Sequence, residues 1–341
     1  MSNNLINPLI SIVLPTYNVG EYIDRALQSC VHQTFSSIEI IVVDDCGTDD
    51  SIFRAKKWAE KDSRIRIVEN VKNLGTYHAR RVGVENSIGE YIVFLDPDDE
   101  LRLDAISLIY SSASKYEADI VFFNCRDIPN LKWWSNKPQT PIVDLGSKDI
   151  ARAVLKKKNI NLGTPGKAFR KDLLKETFLI LNVNVDERLI FAEDVLLLSA
   201  MLVLSRKAVT INEGIYFYYR NSSSVTMKRD NQSLYFKIEQ INKVLESLYR
   251  LPASLNSVLS SESMNFLINY ISRRLVSDKS YIYMTIHKEI SDALYFENLI
   301  ERLRCFLSVA DLVRLFSFSI GLGIRKLRRV FLRNLSVSKL R

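Results

Sequence analysis

Three carboxylates stand within four residues of one another in the segment Asp96-Pro97-Asp98-Asp99, directly after the apolar run 91–95. Carboxylates at this spacing repel one another unless a cation or hydrogen-bond donors lie among them. Oxygen ligands on a short loop suit Mg²⁺ or Mn²⁺, which keep several waters and bridge to phosphate groups. The alternative is a solvated turn that caps a following helix, and spacing alone leaves both interpretations open.

A second acidic pair, Asp44-Asp45, ends the apolar run 38–43. An acidic side chain at the end of a strand commonly holds a ribose hydroxyl or a base N–H group. The alternative is an N-cap for the next helix, although Thr48 or Asp49 can fill that role. The chain has no GxGxxG motif after its first strand and no P-loop motif, which disfavours the two phosphate sites that those motifs build.

Two further polar clusters lie later in the chain. Glu193-Asp194 precedes an apolar run, and burial can tune one of these carboxylates into a general base. The alternative is a helix N-terminus, where the helix dipole favours acidic residues. Arg220 precedes the polar run 221–224, which suits a pyrophosphate lid, with a surface loop as the alternative. The three histidines have neither metal spacing nor a serine partner for a triad and are interpreted as structural.

The first hundred residues alternate between strand and helix patterns, and these elements must position the acidic clusters. Short runs rich in β-branched residues predict strands, and apolar residues at helical spacing predict helices. The predicted strands are 10–14, 38–43, 65–68 and 91–95, and the predicted helices are 21–31, one that follows 48–49, and 75–87. This order implies a mostly parallel, Rossmann-like α/β sheet with helices on both faces.

Each polar cluster of this region directly follows a strand. In open α/β sheets, ligands bind beyond the carboxyl ends of the strands. The segments Thr16-Tyr17-Asn18, Asp44-Asp45 and 96–99 are therefore expected to line one crevice. This expectation depends only on the order of the strands and on their positions in the sequence.

The remaining segments are predicted from the same patterns. A helix is expected at 101–114, a strand at 119–123, a long loop with Trp133-Trp134 at 126–146, and a helical region at 232–301. The chain is accordingly divided into a domain of residues 1–230 with halves 1–100 and 101–230, a helical region of 231–301, and a tail of 302–341. The helical region forms a C-terminal extension of the α/β domain.

Composition and charge are those of a globular protein with an unusual tail. Of the 341 residues, 47% are apolar and 25% are charged, which excludes a collagen-like, mucin-like or wholly disordered chain. The net charge is +8, but residues 302–341 contain ten basic residues and one acidic residue, so the other 301 residues sum to −1. A basic groove for nucleic acid is therefore not expected.

Three observations bear on location. The four cysteines form no paired motif, which indicates reduced thiols in a cytoplasmic protein. The first residues lack the basic start and the apolar run of a signal peptide. The longest uncharged run in the tail, residues 315–324, is too short to cross a bilayer alone.

The basic tail has two faces when it is drawn as a helix with about 100° per residue. The apolar face consists of Ile320, Ile324, Leu327, Phe331 and Leu335. The basic face consists of Arg325, Lys326, Arg329 and Arg333, with Arg328 at its border. This pattern favours an anionic membrane surface as the partner of residues 312–341. The alternative is a terminal helix that packs on the body of the protein.

The chain resembles the bacterial family 2 glycosyltransferases, which have the nucleotide-sugar-binding GT-A fold. The matching stretches are Ser11-Ile-Val-Leu-Pro-Thr-Tyr-Asn18, Gln33-Thr-Phe35, Ile41-Val-Val-Asp-Asp45, Asn73-Leu-Gly75, Gly89-Glu-Tyr-Ile92, Phe94-Leu-Asp-Pro-Asp-Asp99 and Glu193-Asp194. Within the family, the chain is most similar to lipooligosaccharide β-1,3-galactosyltransferases. That finer match rests on Tyr17-Asn-Val19, Asp44-Asp-Cys-Gly47 and Asp186-Glu-Arg-Leu189.

This resemblance implies roles for the first half, 1–100, which would bind the nucleotide-sugar. The residues that would line the nucleotide pocket are Pro15, Thr16, Tyr17 and Asn18. Asp45 would face the uracil, and Asp44 would lie near it. Asp98 would lie at the ribose and the metal, Asp99 would coordinate the divalent ion, Mn²⁺ or Mg²⁺, and Asp96 would complete the acidic motif.

The resemblance also implies roles for the second half, 101–230, which would bind the acceptor. Asp194 would be the base that deprotonates the acceptor hydroxyl, with Glu193 as its neighbour. Lys167 and Arg220 would contact donor or acceptor. The segment Thr164-Pro-Gly166 departs from the family pattern, because relatives often carry a Trp or Asn before the lysine.

The first hypothesis is therefore a metal-dependent, inverting glycosyltransferase at the inner face of the cytoplasmic membrane. It would move a hexose from a UDP-sugar, with galactose favoured over GlcNAc, GalNAc or glucose, to a glycan or lipid-linked glycan of the bacterial surface (lipooligosaccharide, O-antigen or capsule). Such a transfer needs a metal for the leaving diphosphate and one base, but no protein nucleophile. The second hypothesis is a non-catalytic sugar- or partner-binding module on the same fold. A nucleotidyltransferase is disfavoured, because the Gly-rich basic loop that such enzymes carry after the first strand is missing.

Overall fold

The computed structural model describes residues 9–128, 162–221, 224–254 and 261–286. The described chain begins with four strands: β1 (Ile10–Thr16), β2 (Ile38–Asp44), β3 (Ile65–Glu69) and β4 (Tyr91–Phe94). Three helices alternate with these strands: α1 (Ile23–Val31), α2 (Ser51–Ala59) and α3 (Thr76–Glu85). The predicted alternation of strands and helices is confirmed, with ends that differ by a few residues.

The central strands are apolar along nearly their whole length because helices cover both faces of the sheet. All but one residue of β1 and of β2 are buried, the exceptions being Pro15 and Asp44, which are half-buried. Helix α1 turns Ile23, Leu27 and Cys30 inward, as its three-to-four-residue apolar spacing predicts. Burial therefore decreases only at the carboxyl ends of these strands.

The second part of the sheet is more varied in direction. Its elements are β5 (Glu100–Leu101), α4 (Ala105–Tyr116), β6 (Ile120–Ile128), β7 (Lys167–Arg170), α5 (Lys171–Leu181), α6 (Glu193–Leu204) and β8 (Ala208–Tyr219). The eight strands have the order β3-β2-β1-β4-β7-β6-β8-β5. Strand β7 is antiparallel to β4 and β6, and β5 is antiparallel to β8, while the other neighbours are parallel.

The helix expected at 101–114 begins later than its apolar pattern indicates. Leu101 instead lies in β5, where it pairs with Tyr216 of β8, and its backbone N–H donates to Ser29 Oγ at 3.1 Å. Helix α4 therefore begins at Ala105. The pairing partner lies 115 positions further along the chain, so a local pattern does not reveal it.

Two helices follow the sheet: α7 (Asn231–Ser254) and α8 (Ser261–Ile286). Helix α7 has apolar residues at helical spacing, of which Leu234, Ile238, Ile241 and Val244 are buried and Phe236 is half-buried. The chain divides into two compact units, one of Met1–Met227 with Glu246–Leu267 and the other of Lys228–Leu245 with Ile268–Arg341. The division at residues 230 and 301 stays a prediction.

Several predicted features lie outside the described residues. These are the loop with Trp133-Trp134, the C-terminal part of the helical region, His287, Cys305 and the basic tail 302–341. The other three cysteines, Cys30, Cys46 and Cys125, are free thiols. In the described part of the chain, no helix is both long enough and apolar enough to span a membrane.

Candidate functional site

The carboxyl ends of β1, β2 and β4 lie side by side. Thr16 pairs with Asp44 in the parallel register, and the N–H of Asp45 donates to the carbonyl of Thr16 at 2.9 Å. The N–H of Leu95, which precedes the acidic loop, donates to the carbonyl of Val13 at 3.0 Å. The polar segments that follow these three strands are thus brought to one edge of the sheet.

Of the three polar residues at the end of β1, two are exposed and one is buried. Thr16 is buried, and its hydroxyl donates to the carbonyl of Leu14 at 3.0 Å. Tyr17 and Asn18 are exposed, and Asn18 has a left-handed backbone with φ of 51°. Asn18 Oδ1 accepts a 2.7 Å hydrogen bond from the N–H of Thr48, which ties the β1 and β2 ends together.

The two carboxylates after β2 differ in their surroundings. Asp45 is buried, and it accepts hydrogen bonds from Asn70 Nδ2 at 2.9 Å, Leu74 N at 2.8 Å and Gly75 N at 2.8 Å. Its carboxylate is thereby occupied in holding the loop before α3. The expectation that Asp45 faces a uracil stays a prediction, and both of its oxygens accept hydrogen bonds from the protein.

Asp44 is half-buried and keeps one oxygen for a ligand. Its Oδ1 accepts hydrogen bonds from Cys46 N at 2.9 Å and from Gly47 N at 3.3 Å. Within the described residues, its Oδ2 accepts none. Asp44 does not cap the next helix, because the N-cap position of α2 is Asp50, which makes no side-chain capping hydrogen bond. Asp49 Oδ1 accepts a hydrogen bond from the N–H of Ser51 at 3.1 Å in the turn before the helix.

In the acidic loop after β4, Asp99 is completely buried. Its Oδ2 accepts a hydrogen bond from the Tyr216 hydroxyl at 2.7 Å, and its Oδ1 accepts one from the N–H of Tyr219 at 2.8 Å. Burial, followed by the charges of Asp96 and Asp98, raises the pKa of Asp99 well above its usual range. The expected metal coordination by Asp99 stays a prediction, and each of its oxygens accepts one hydrogen bond inside the fold.

Asp96 and Asp98 are less enclosed and fit a divalent cation better. Asp98 Oδ2 accepts a hydrogen bond from Asn221 Nδ2 at 3.1 Å, and Asp96 Oδ1 accepts one from Arg80 Nη2 at 3.1 Å. Burial and the nearby charge of Asp96 raise the pKa of Asp98, which is the repulsion that a cation would relieve. No group of three or more His, Cys, Asp or Glu side chains in the described ranges could hold a metal by itself. One or two carboxylates that share the ion with substrate phosphates are the usual arrangement for Mg²⁺.

Glu193 and Asp194 begin helix α6 after Ala192, whose backbone is left-handed with φ of 63°. Glu193 is buried against Arg80, and Asp194 is half-buried, with Oδ1 accepting a hydrogen bond from Val195 N at 2.8 Å. Burial raises the pKa of both carboxyl groups, while Arg80 opposes this shift. Of the two, Asp194 is the more accessible acid.

Arg80 contacts both the acidic loop after β4 and the acidic pair at the start of α6. It is not among the candidate site residues predicted from the sequence. Its Nη1 lies 2.9 Å from Glu193 Oε1, and its Nη2 lies 3.1 Å from Asp96 Oδ1. It occupies the buried face of α3 with Tyr77 and Val84, at helical spacing. A charged residue at a core position of an amphipathic helix was the signal that could have identified it.

Lys167 and Arg220 are both held by protein groups. Lys167 is buried in β7, and its Nζ donates to the carbonyl of Gly163; burial lowers the pKa of Lys167 to about 8. Arg220 is 53% exposed, and its Nη2 lies 2.8 Å from the buried carboxylate of Asp127. The charges of Lys167 and Asp194 act on each other. Asp194 raises the pKa of Lys167, against the larger effect of burial, and Lys167 lowers the pKa of Asp194.

The chain is similar in sequence to known glycosyltransferases. The sequence model described as Glycosyl transferase family 2 matches residues 11–178. Glycosyltransferase GlyA of Streptococcus pneumoniae serotype 4 is 38% identical over 120 residues, which are 35% of this chain but only 17% of GlyA. The cholesterol galactosyltransferase of Borreliella burgdorferi is 27% identical over 315 residues, which are 89% of this chain and 83% of that protein.

Among solved structures, S. aureus TarS 1-349 in complex with UDP-GlcNAc superposes with a TM-score of 0.63 and 18% identity. The superposition covers 94% of this chain and 90% of that chain. This likeness confirms the predicted fold, a mixed α/β sheet flanked by helices of the GT-A type.

Proposed function

We propose that this chain is a family 2 glycosyltransferase, which transfers a hexose from a UDP-sugar to a hydroxyl group of a bacterial surface glycan. The observation that carries this proposal is the meeting of two acidic clusters at one guanidinium group. Arg80 holds Asp96 of the loop after β4 and Glu193 at the start of α6. One cluster suits the donor diphosphate, and the other suits deprotonation of an acceptor.

The donor side is assigned to the strand ends. Asp44, with one oxygen open, Tyr17 and Asn18 would contact the nucleoside, and UDP is favoured because the TarS complex contains UDP-GlcNAc. Asp98 and Asp96 would hold Mn²⁺ or Mg²⁺, which would neutralise the leaving diphosphate when bound. The Mannosyltransferase PcManGT, a solved structure with Mn²⁺ and TM-score 0.54, supports this choice of ion.

The transfer itself needs one base. The acceptor oxygen forms a bond to the anomeric carbon, the bond from that carbon to the diphosphate oxygen breaks, and the acceptor proton passes to Asp194. A single displacement of this kind inverts the anomeric configuration. Glu193 is less suited to accept the proton, because its carboxylate is buried in the ion pair with Arg80. Burial raises the pKa of Asp194 and so makes it a better proton acceptor.

The sugar and the acceptor are proposed from the relatives. Galactose is the first choice, with GlcNAc, GalNAc and glucose as alternatives, since the Borreliella relative is named a cholesterol galactosyltransferase. A relative from Bacillus spizizenii is named a poly(ribitol-phosphate) beta-glucosyltransferase, which supports a cell-surface polymer as the acceptor class. Lys167, Arg220 and the segment 163–166 would lie toward the acceptor.

A panel of UDP-sugars tests the activity. The protein is incubated with UDP-galactose, UDP-glucose, UDP-GlcNAc or UDP-GalNAc, with MnCl₂ or with EDTA, and the release of UDP is measured. We expect release from one donor, only with the metal, and loss of release in Asp98→Asn. Asp104→Asn is the matched control, because Asp104 pairs with Arg102 at the surface and should keep full activity. Binding of a UDP-sugar without any release or transfer would support a non-catalytic binding module instead.

The location is proposed from the tail. Residues 312–341 would bind the anionic inner face of the cytoplasmic membrane, where a lipid-linked acceptor is available. Replacing Arg325, Arg329 and Arg333 by Glu should abolish co-sedimentation with phosphatidylglycerol vesicles, and vesicles of phosphatidylcholine give the baseline. Unchanged sedimentation with the anionic vesicles would refute a membrane contact through this face.

A further inference from the structure

The buried tyrosine of β8, Tyr216, contacts both ends of the acidic loop. We infer that Tyr216 is a positioning residue, whose hydroxyl holds the loop 96–99 in the conformation that binds the donor diphosphate and its cation. This inference rests on the proposed function, because it assigns the purpose of the loop to donor binding. Tyr216 itself lies beneath the loop and is not a ligand.

A single hydroxyl group spans the loop. The Tyr216 hydroxyl donates to Asp99 Oδ2 at 2.7 Å and accepts a hydrogen bond from the N–H of Asp96 at 3.3 Å. Tyr216 is completely buried, so water does not replace these two hydrogen bonds. The N–H of Asp99 also donates directly to the carbonyl of Asp96 at 2.9 Å, so the hydroxyl adds a second link between the first and last residues of the loop and ties both of them to β8.

Strand pairing adds a second restraint. Residues Glu100 and Leu101 pair with Phe217 and Tyr216 in the antiparallel contact of β5 with β8. The N–H of Tyr219 donates to Asp99 Oδ1 at 2.8 Å, so the Asp99 carboxylate accepts hydrogen bonds from two residues of β8. The loop is thus attached to β8 through side chain and backbone together.

Asp98 lies between the two anchored residues and, like Asp96, is half-buried. Its carboxylate accepts a hydrogen bond from Asn221 Nδ2 at 3.1 Å, and its backbone carbonyl accepts one from Arg25. A ligand carboxylate must be held close to its working geometry by packing and by outer hydrogen bonds. Loss of the Tyr216 hydroxyl removes the side-chain link of Asp96 and Asp99 to β8 and leaves only their direct backbone hydrogen bond, so the orientation of Asp98 should become less defined.

The test compares two buried tyrosines. Tyr216→Phe removes the bridging hydroxyl, and Tyr77→Phe removes an equally buried hydroxyl that has no hydrogen-bond partner in the described residues. Binding of UDP is measured by calorimetry with MnCl₂ and with EDTA, and the melting temperature is measured in parallel. We expect Y216F to weaken the metal-dependent binding by about tenfold or more, while binding in EDTA changes less than threefold and Y77F matches wild type.

Two outcomes are distinguished. Failure of the wild-type protein to bind UDP with Mn²⁺ would overturn the proposed function, and the inference with it. If wild type binds and Y216F remains within threefold of it, the positioning role is wrong even if the melting temperature falls.

Hydrogen exchange in the wild-type protein gives a test that does not need a folded variant. The Asp96 amide should be protected from hydrogen exchange in the absence of ligand. Exchange at the rate of an unstructured loop would overturn the positioning role of Tyr216.

Discussion

Arg80 and Glu193 form a buried ion pair across 113 positions of the sequence, with Nη1 and Oε1 separated by 2.9 Å. Their side chains are only 5% and 9% exposed. The same guanidinium group contacts Asp96 at 3.1 Å, so the helix that carries the proposed base and the loop that carries the proposed metal ligands share one positive charge. The attraction of these carboxylates raises the pKa of Arg80, although burial acts against it. The pair therefore couples two parts of the site.

Replacing Arg80 by Met should lower the free energy of unfolding by about 3–5 kcal/mol, because it leaves a buried carboxylate without its cation. Urea denaturation measures this change. The adjacent Arg81→Met is the control, since Arg81 pairs with Glu85 on the surface of the same helix. That change should cost less than about 1 kcal/mol. Equal effects of the two substitutions would show that the Arg80 pair has no special role in stability.

Asp44 and Asp45 should respond differently to the same substitution. Asp45→Asn should lower the free energy of unfolding by about 1–3 kcal/mol, because an amide cannot accept all three hydrogen bonds from 70–75. Asp44→Asn should leave unfolding nearly unchanged and weaken UDP binding by about tenfold, or about 1.4 kcal/mol. Denaturation and calorimetry on both variants provide the comparison. If Asp45→Asn weakened UDP binding and Asp44→Asn lowered stability instead, the nucleotide contact would be assigned to Asp45.

Asp194→Asn should lower kcat by about 10²–10⁴-fold, the usual contribution of a general base. Its unfolding free energy should not fall, because burial already disfavours the charged form of Asp194. Glu193→Gln should instead lower the unfolding free energy by about 3 kcal/mol, since it breaks the pair with Arg80. Steady-state kinetics and denaturation separate the two acids. Wild-type turnover in Asp194→Asn would exclude it as the base.

Lys167 should make stability depend on pH in the alkaline range. Its pKa is about 8 in the folded protein and 10.5 ordinarily, so between these values the unfolded chain binds more protons. The free energy of unfolding attributable to this residue therefore rises with pH across that window, by up to about 3 kcal/mol, and is constant below pH 8. The difference in unfolding free energy between wild type and Lys167→Met, measured from pH 7 to 10.5, should show this rise. A difference that does not change with pH would contradict it.

The first four strands and their order along the chain were predictable because the signal is local. The runs at β1 and β2 are almost wholly apolar, and a polar or acidic residue marks where each strand ends. The parallel direction follows from the helices between them, since a parallel crossover needs such a connection. The location of Asp44-Asp45 and of residues 96–99 beyond strand ends was predictable from the same local patterns.

Roles within each acidic pair were not predictable from the sequence. Asp44 and Asp45 are chemically alike and adjacent, as are Asp98 and Asp99, and nothing local distinguishes them. The distinction comes from partners such as Gly75 and Tyr216, which lie 30 and 117 positions away from the carboxylates they contact. The late start of α4 has the same origin, because Leu101 pairs with a distant strand.

The amino-acid sequence by itself determined the first four strands and the location of three polar clusters, two of them acidic, after strand ends, because hydrophobic periodicity and turn residues act over a few neighbouring positions. Only the tertiary structure decided which carboxylates keep an oxygen available to a ligand and which are occupied inside the fold. It also brought Arg80 between Asp96 and Glu193. The physical reason is that burial and hydrogen bonding of a charged group depend on residues that are distant in sequence and meet only after the sheet has closed.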